Sequence, residues 1–403
     1  MTPANANVVY VLSANSGNGF QGIYKSSDSG SSFTTMATLG TVGDIFESSQ
    51  AWFDMALAVS DLNENEIYTG VLNVWKSTNG GTTMTKINNW SSPTQPSYTH
   101  ADIHLLRFYN GQLFAGTDGG FYKSGDGGTN FSDLTAGMQI GQFYKIAVAK
   151  QTSGKMVGGL QDNGGYGLNN SQWQNYYGAD GMDTAIDPNN ENMYYGFIQQ
   201  GGGLYISDDA GASVATSVGG PETGNWVTPL VANKEGEIYA GYSRLYKLCS
   251  SFQPVSSSFG TNIDFLEIDN IDPDNIYVAI NNSLRKSTDR GVSFTNVQTF
   301  SSNITSIEVN NSNSAIVYVT TAGTSNGKVH KSIDGGQNFT DVTGTLPSVT
   351  KNIIKHQDFH SQNPLFLGTS LGVYRYDDTS GDWEAFDNGL PNVSVTDIEL
   401  NYN

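Results

Sequence analysis

Between residues 100 and 226 a succession of short phrases sets His, Asp, Gln, Tyr and Trp side chains beside glycines. "HADIH" supplies His100, Asp102 and His104, and "TDGG" supplies Asp118. "GQFYK" adds Gln142 and Tyr144, "GGLQDNGG" adds Gln161, Asp162 and Asn163, "GADGMD" adds Asp180 and Asp183, and "GNWVTP" adds Trp226. Three chemistries are open to such a set. His100, Asp102 and His104 alternate, so on an extended strand they share one side and could hold a divalent cation, the one cofactor the sequence suggests. Asp118, Asp162 and Asp180 could divide the work of glycoside hydrolysis, which needs one protonated and one ionised carboxyl roughly 5 to 10 Å apart. Alternatively His104, Asp118, Gln142, Tyr144, Gln161, Asp162, Asn163, Asp180, Asp183 and Trp226 form a polar, glycine-flanked surface with an aromatic platform, suited to binding without turnover. Asp beside Gly is also ordinary turn chemistry, and His or Asp at a channel mouth often satisfies backbone groups.

What positions these groups is a repeat. The phrase "YKSSDSGSSF" begins at Tyr24, and variants of it return along the chain. Its members are Ser26-Asp28-Gly30, Ser77-Asn79-Gly81, Ser124-Asp126-Gly128, Ser207-Asp209-Gly211, Ser287-Asp289-Gly291 and Ser332-Asp334-Gly336. The serines stand 51, 47, 83, 80 and 45 residues apart, so each long interval should hide a degenerate copy. "GYGLNNSQW" and "LYKLCSSFQPV" fit, and "VYRYDDTSGDW" closes the series. A period of about 40 to 50 residues signals a propeller or solenoid. Each unit contains four short apolar segments, as in "HLLRF", "QLFAG", "GFYKS" and "NFSDL" of the third, and four strands per unit is a propeller blade. The phrase then lies at the hairpin between third and fourth strands. There Ser and Asp accept bonds from the turn's backbone, Gly supplies positive φ, and the aromatic packs between blades.

The expected fold is therefore all-β: one closed β-propeller spanning residues 1–403, with about nine four-stranded blades, eight or ten being the neighbouring counts. The chain opens on a second-strand segment, "VVYVLS", and ends on a first-strand segment, "VTDIEL" at Val395–Leu400, so these two are expected to pair and close the ring. In an up-and-down blade the start of the first strand and the end of the second share a rim. The chemical residues fall on that rim and the phrase on the opposite one.

Composition supports this. Glycine is 47 of 403 residues and charged residues only 14%, with 21 Tyr and 19 Phe; ordinary chains have about 7% and 25% respectively. Acids outnumber bases 38 to 19, a net charge of -19 that disfavours nucleic acid and anionic membrane surfaces as partners. No run is apolar enough to insert in a membrane. The single cysteine, Cys249, excludes an internal disulfide and is expected as a small buried hydrophobe. The start lacks a signal-like pattern, which suggests a domain excised from a larger secreted protein.

The phrase, with its full form at Ser124-Asp126-Gly128-Phe131, Ser287-Asp289-Gly291-Phe294 and Ser332-Asp334-Gly336-Phe339, resembles the Asp-box (BNR) repeat of sialidases, sortilin-type receptors and xyloglucanase-type hydrolases. The run from "HADIH" to "GADG" is similar to the large secreted sortilin-like and xyloglucanase-like bacterial proteins. The resemblance implies a box that is a folding element remote from the binding site. It further implies a bacterial, Bacteroidetes-type surface or secreted protein, extracellular, with a protein or glycan ligand and neighbouring domains as partners. Xyloglucanase-type enzymes place one carboxylate on each of two propellers, whereas one propeller is expected here. Sialidases need three arginines on a carboxylate and an Arg-Ile-Pro signature; only Arg107, Arg244, Arg285, Arg290 and Arg375 occur, and no such tripeptide. A binding or scaffold propeller is thus the leading expectation, followed by a polysaccharide hydrolase and by a structural subunit of a surface layer, appendage or adhesin.

Overall fold

The computed structural model describes residues 2–138 and 140–402. They form nine antiparallel sheets, eight of four strands and one, the first, of three. Two short helical turns, Leu39–Val42 and Gln199–Gly201, are the helical elements among the described residues, and no helix is long and apolar enough to cross a membrane. Within every sheet the strands follow one another in chain order, the up-and-down arrangement of a propeller blade. Where one domain was expected, the residues sort into two compact units: Met1–Ile140 with the first three sheets, and Gly141–Asn403 with the other six.

The third sheet shows how the sequence writes a blade. Its strands are Ile103–Tyr109, Gln112–Thr117, Gly120–Ser124 and Ser132–Asp133, matching the four apolar segments. Second strands are buried on both faces, as in Ile276–Ile280 and Val317–Thr321, and read as continuous apolar runs. The cores lie between consecutive sheets: Tyr277, Ala279 and Leu284 of the seventh pack with Ile304, Ile307, Val317 and Val319 of the eighth. Burying one such Val or Ile contributes about 1.5–3 kcal/mol.

The repeated phrase does its work at the hairpin as expected. In the eighth sheet, Ser332 Oγ donates to Asp334 Oδ1 (2.8 Å) and accepts from Gly336 N (2.9 Å), while Asp334 accepts from Asn338 N (2.9 Å) and Asn338 Nδ2 (2.7 Å). The same ring of bonds recurs at Ser26, Ser124, Ser207 and Ser287, and Asn79 substitutes for aspartate beside Ser77. Side-chain bonds from the neighbouring hydroxyls and amides hold Asp28, Asp126, Asp209, Asp289 and Asp334 at about 2, below the usual carboxylate range. The aromatic packs against the preceding sheet at Phe131, Phe294 and Phe339, whereas Phe33 of the first sheet is exposed. The degenerate copies occupy the same hairpins, between Gly164–Asn169 and Gln172–Tyr177, Leu245–Leu248 and Phe252–Pro254, and Gly372–Tyr376 and Trp383–Ala385. Cys249 sits exposed at the second of these turns, not in the core as expected, because a hairpin tip has no facing sheet.

The phrase also fastens sheet to sheet. Tyr68 and Lys76 of the second sheet both donate to the carbonyl of Gly127 in the third sheet's hairpin (3.1 Å each), and Lys76 lies over the Tyr68 ring at 5.2 Å. Tyr277 and Lys286 do the same for Gly335 in the eighth (3.0 and 3.3 Å).

The expected pairing of the two chain ends is not formed. The first sheet comprises Val9–Ala14, Phe20–Ser26 and Thr34–Thr38, and Val395–Leu400 belongs to no strand. That segment instead runs through the second unit between the first strands of its first and last sheets, Phe143–Val148 and Lys351–His356. Asp397 accepts from Lys145 Nζ (3.3 Å) and Ile146 N (2.9 Å), and Asn401 donates to Ala149 O (2.6 Å). On the other side Asn352 donates to Val395 O (2.9 Å), Val395 N donates to Thr369 O (2.8 Å) and Glu399 meets Lys355 (3.1 Å). The physical reason is charge. Asp397 and Glu399 find half-buried lysines here, which an exposed strand edge would not offer.

Candidate functional site

In the first unit the alternation expected of His100, Asp102 and His104 does not form. Asp102 adopts a left-handed backbone (φ 61°), so the strand begins only at Ile103 and His100 stays outside it. The cation set read from the sequence is therefore not assembled as a strand face. His104 projects from the strand, its Nε2 2.5 Å from Asp118 Oδ1 and its ring edge-on to Phe53 at 4.8 Å. Two residues that sequence reasoning missed complete this cluster. Gln50 Nε2 donates to Asp54 Oδ2 (3.2 Å) and also to Asp102 Oδ1. Burial, then the neighbouring charge of Asp102, push the Asp54 carboxyl up to about 7.

In the second unit the rim residues come from sheet ends, where expected. Tyr144 lies in Phe143–Val148, Asp162 follows Lys155–Leu160, and Asp180 precedes Gly181–Asp187. Trp226 is 48% exposed, yet its indole N–H donates to the Tyr144 hydroxyl at 3.1 Å. Asp180 Oδ1 accepts from Asp162 N (2.9 Å), and Asp180 N donates to Gln199 Oε1 (3.3 Å). Burial, followed by the charge of Asp162, raises the Asp180 carboxyl above its ordinary value. Tyr144 is raised too, by burial first and then by Asp180 and Asp162, partly offset by its bond from Trp226. Gln161 N donates to Gln142 O through the backbone (3.1 Å), and the Asn163 side chain is used locally, its Nδ2 donating to Gln161 O (2.9 Å).

Asp183 is not at the mouth. Its carboxylate accepts from Thr184 N and Leu230 N (2.9 Å each), tying the fifth sheet to the sixth, and burial lifts it to about 6. The flanking glycines serve close backbone packing. A Cβ at Gly164 would lie 1.9 Å from Tyr177 O, and one at Gly181 would lie 2.1 Å from Gly164 O. They let backbones touch, which leaves the side chains of Asp162, Asp180, Tyr144 and Trp226 to form the surface.

Inside the second unit is a cavity of about 610 Å³, lined among others by Lys145, Glu267, Glu308, Lys355, Asp397 and Glu399. Burial first, and then Glu308, push Glu267 well above the usual glutamate range, and burial does the same to Glu308. Burial opposes the Lys355 ammonium, but Glu399, Glu308 and Glu267 override it and hold its pKa well above the ordinary lysine value. A signal for this network existed: Glu267, Glu308 and Lys355 occupy the same place in "FLEID", "SIEVN" and "IIKHQ", the first strands of successive units.

No family model matches the chain, and no curated protein matches it. Among solved structures it is similar to the GH74 enzyme of Niastella koreensis, at 15% identity and TM-score 0.36, covering 96% of this chain and 77% of that one. It is similar to the GH74 xyloglucanase from Xanthomonas campestris at 12% identity and TM-score 0.37, again covering 96% and 77%. YCF48 from Cyanidioschyzon merolae matches at 14% identity and TM-score 0.38, covering 81% of this chain and 96% of that one.

Proposed function

We propose that this protein is an extracellular binding propeller of a bacterial surface or secreted protein, and that it takes a glycan or protein segment at the Trp226 mouth. One observation carries the reading: a half-exposed indole held in place by the hydrogen bond it donates to Tyr144 of another sheet, with Asp162 and Asp180 near that hydroxyl. An exposed tryptophan is normally free to turn. Fixing Trp226 through Tyr144 reduces the entropy lost when a sugar ring or apolar side chain stacks on it. Asp162 and Asp180 then accept hydrogen bonds from the ligand's hydroxyl or amine groups.

A second reading is favoured by the raised Asp180 beside Asp162. Two neighbouring carboxyls, one with its pKa raised, are what a glycoside hydrolase acid–base pair requires. A polysaccharide and peptide binding screen, run with an assay for new reducing ends, separates the two. Trp226→Ala should weaken binding by about 1–3 kcal/mol in either case. Asp162→Asn should leave a binding module with most of its affinity and cost a hydrolase orders of magnitude in turnover. Unchanged binding in Trp226→Ala would remove this mouth from consideration.

A further inference from the structure

We propose that the first sheet accepts an extended peptide segment of another polypeptide as its missing innermost strand, laid along the edge of Val9–Ala14. The inference goes beyond the Trp226 reading and uses none of its residues. Eight sheets have four strands; the first has three, in the order Val9–Ala14, Phe20–Ser26, Thr34–Thr38. Register shows which strand is lacking. Val9 pairs with Ser26, the first serine of the repeated phrase, as Ile67 pairs with Ser77, Ile276 with Ser287 and Val317 with Ser332. Val9–Ala14 therefore stands where the other sheets have their second strand, which is paired on both edges there and on one edge here. Among the described residues, no group beyond Phe20–Ser26 and Ser13 itself bonds the main chain of Val9–Ala14. Exposure follows: Val11 is 40% exposed, whereas its counterparts Val278 and Val319 are 0% and Thr69 is 1% exposed.

Sheets that leave an edge in water blunt it with lysine, proline or a covering loop, because unpaired N–H and C=O groups template pairing with another chain. The strand VYVLSA carries neither charge nor proline, and its one irregularity lies at the far end, between Ser13 and Ala14. Room for a further strand is present. A recess of about 310 Å³ lies beside Tyr10, walled by Leu57, Ala58 and Val59 of the second sheet's first strand and by Leu106 and Phe108 of the third's. Paired strands lie about 4.8 Å apart, so one extended chain fits there; a folded copy would bring further strands against these walls. The complete sheets state the side chains this place asks for. Opposite the counterparts of Val11 and Val9 stand Leu57 and Val59, Leu266 and Ile268, and Ile307 and Val309. The residue between is Ala58, Glu267 or Glu308, so that position does not discriminate. The occupant is thus a segment with two aliphatic side chains one residue apart, its backbone paired with Val9–Ala14 and the aliphatic pair on the face of Val9 and Val11.

Fluorescein-labelled peptides with the sequences of residues 54–60 (DMALAVS) and 303–310 (NITSIEVN) are titrated with the full chain by fluorescence anisotropy, and amide hydrogen exchange of Val9–Ala14 is followed by mass spectrometry in parallel. The expected result is saturable binding of one peptide per chain and slower exchange at Val9–Ala14. Affinity should fall about tenfold or more when both aliphatic residues of the peptide are replaced by aspartate, and likewise in Val11→Asp. Ile333→Asp, at the eighth sheet's exposed hairpin, should bind as the parent does. Should Val11→Asp fail to fold, exchange at Val9–Ala14 of the unmodified chain, with each peptide against its aspartate form, gives an independent readout. Absence of binding by both peptides at millimolar concentration, equal binding of the aspartate forms, or unchanged exchange at Val9–Ala14 would each overturn the proposal. Self-association in sedimentation that Val11→Asp abolishes would give the edge to a second copy of the chain and overturn it too.

Discussion

Replacing Glu267 with glutamine should make the protein more stable, and increasingly so as the solution becomes more alkaline. In the folded chain, burial and the adjacent Glu308 keep this carboxyl protonated above the ordinary glutamate value of 4.5. The unfolded chain ionises near that value, so above it the folded state binds the extra proton. Stability then falls with rising pH by at most about 1.4 kcal/mol per pH unit for one such group. The contribution is whole below 4.5 and is lost as pH climbs towards the raised folded value. Glutamine has no proton to lose. Relative to the parent, the variant should gain little at pH 5 and, by pH 7, up to about 2–3 kcal/mol by that slope. Glu308 titrates in the same enclosure and ionises more readily once Glu267 is neutral, which brings the expected gain to about 1–3 kcal/mol. Urea denaturation followed by far-ultraviolet circular dichroism at pH 5, 6, 7 and 8 measures the difference. A gain constant with pH, or one growing towards acid, would refute the assignment of Glu267 as a buried proton holder.

Two further tests address the frame. Truncation after Ser394 strips Lys145 of Asp397 and Lys355 of Glu399; losing these half-buried pairs and the segment's backbone bonds should cost about 1–3 kcal/mol, so the melting transition should fall, and an unchanged melt would deny the terminal segment its place. Ser332→Ala removes a hydroxyl that is 1% exposed and leaves Gly336 N without its acceptor, which should lower stability by about 1–3 kcal/mol with ligand affinity at the Trp226 mouth intact; a loss of affinity without loss of stability would transfer function to the hairpin rim.

The repeat was legible because each blade needs the same hairpin, and Ser332-Asp334-Gly336 satisfies that hairpin from within ten residues. The worn copies at Gly164–Asn169 and Leu245–Leu248 could be placed by interval alone, since a blade must be filled even where its turn chemistry has drifted. The rim location of Asp162, Asp180, Tyr144 and Trp226 followed from strand direction. What could not be read depended on contacts distant in sequence. Val395–Leu400 has the pattern of a strand, and only the positions of Lys145 and Lys355 show why it lies between two first strands instead. Asp102 invited extension by its alternation with two histidines, but Gln50, a full repeat upstream, takes its carboxylate while the backbone turns left-handed. Asp54 is a lone acid in an apolar stretch, "WFDMALAV", and its significance comes from burial, which composition does not report.

The terminal segment also sets a clock on biosynthesis. Lys145 and its partner Asp397 are 252 residues apart, and at about 5–20 residues per second a ribosome delivers the second roughly 13–50 s after the first. Until then the six-sheet unit has the first flank of its seam, Phe143–Val148, without the segment that covers it, and Lys145 without its aspartate; the second flank, Lys351–His356, is made shortly before that segment. The nascent chain must therefore keep the Phe143–Val148 edge solvated, or shielded by a chaperone, while those 252 residues are made.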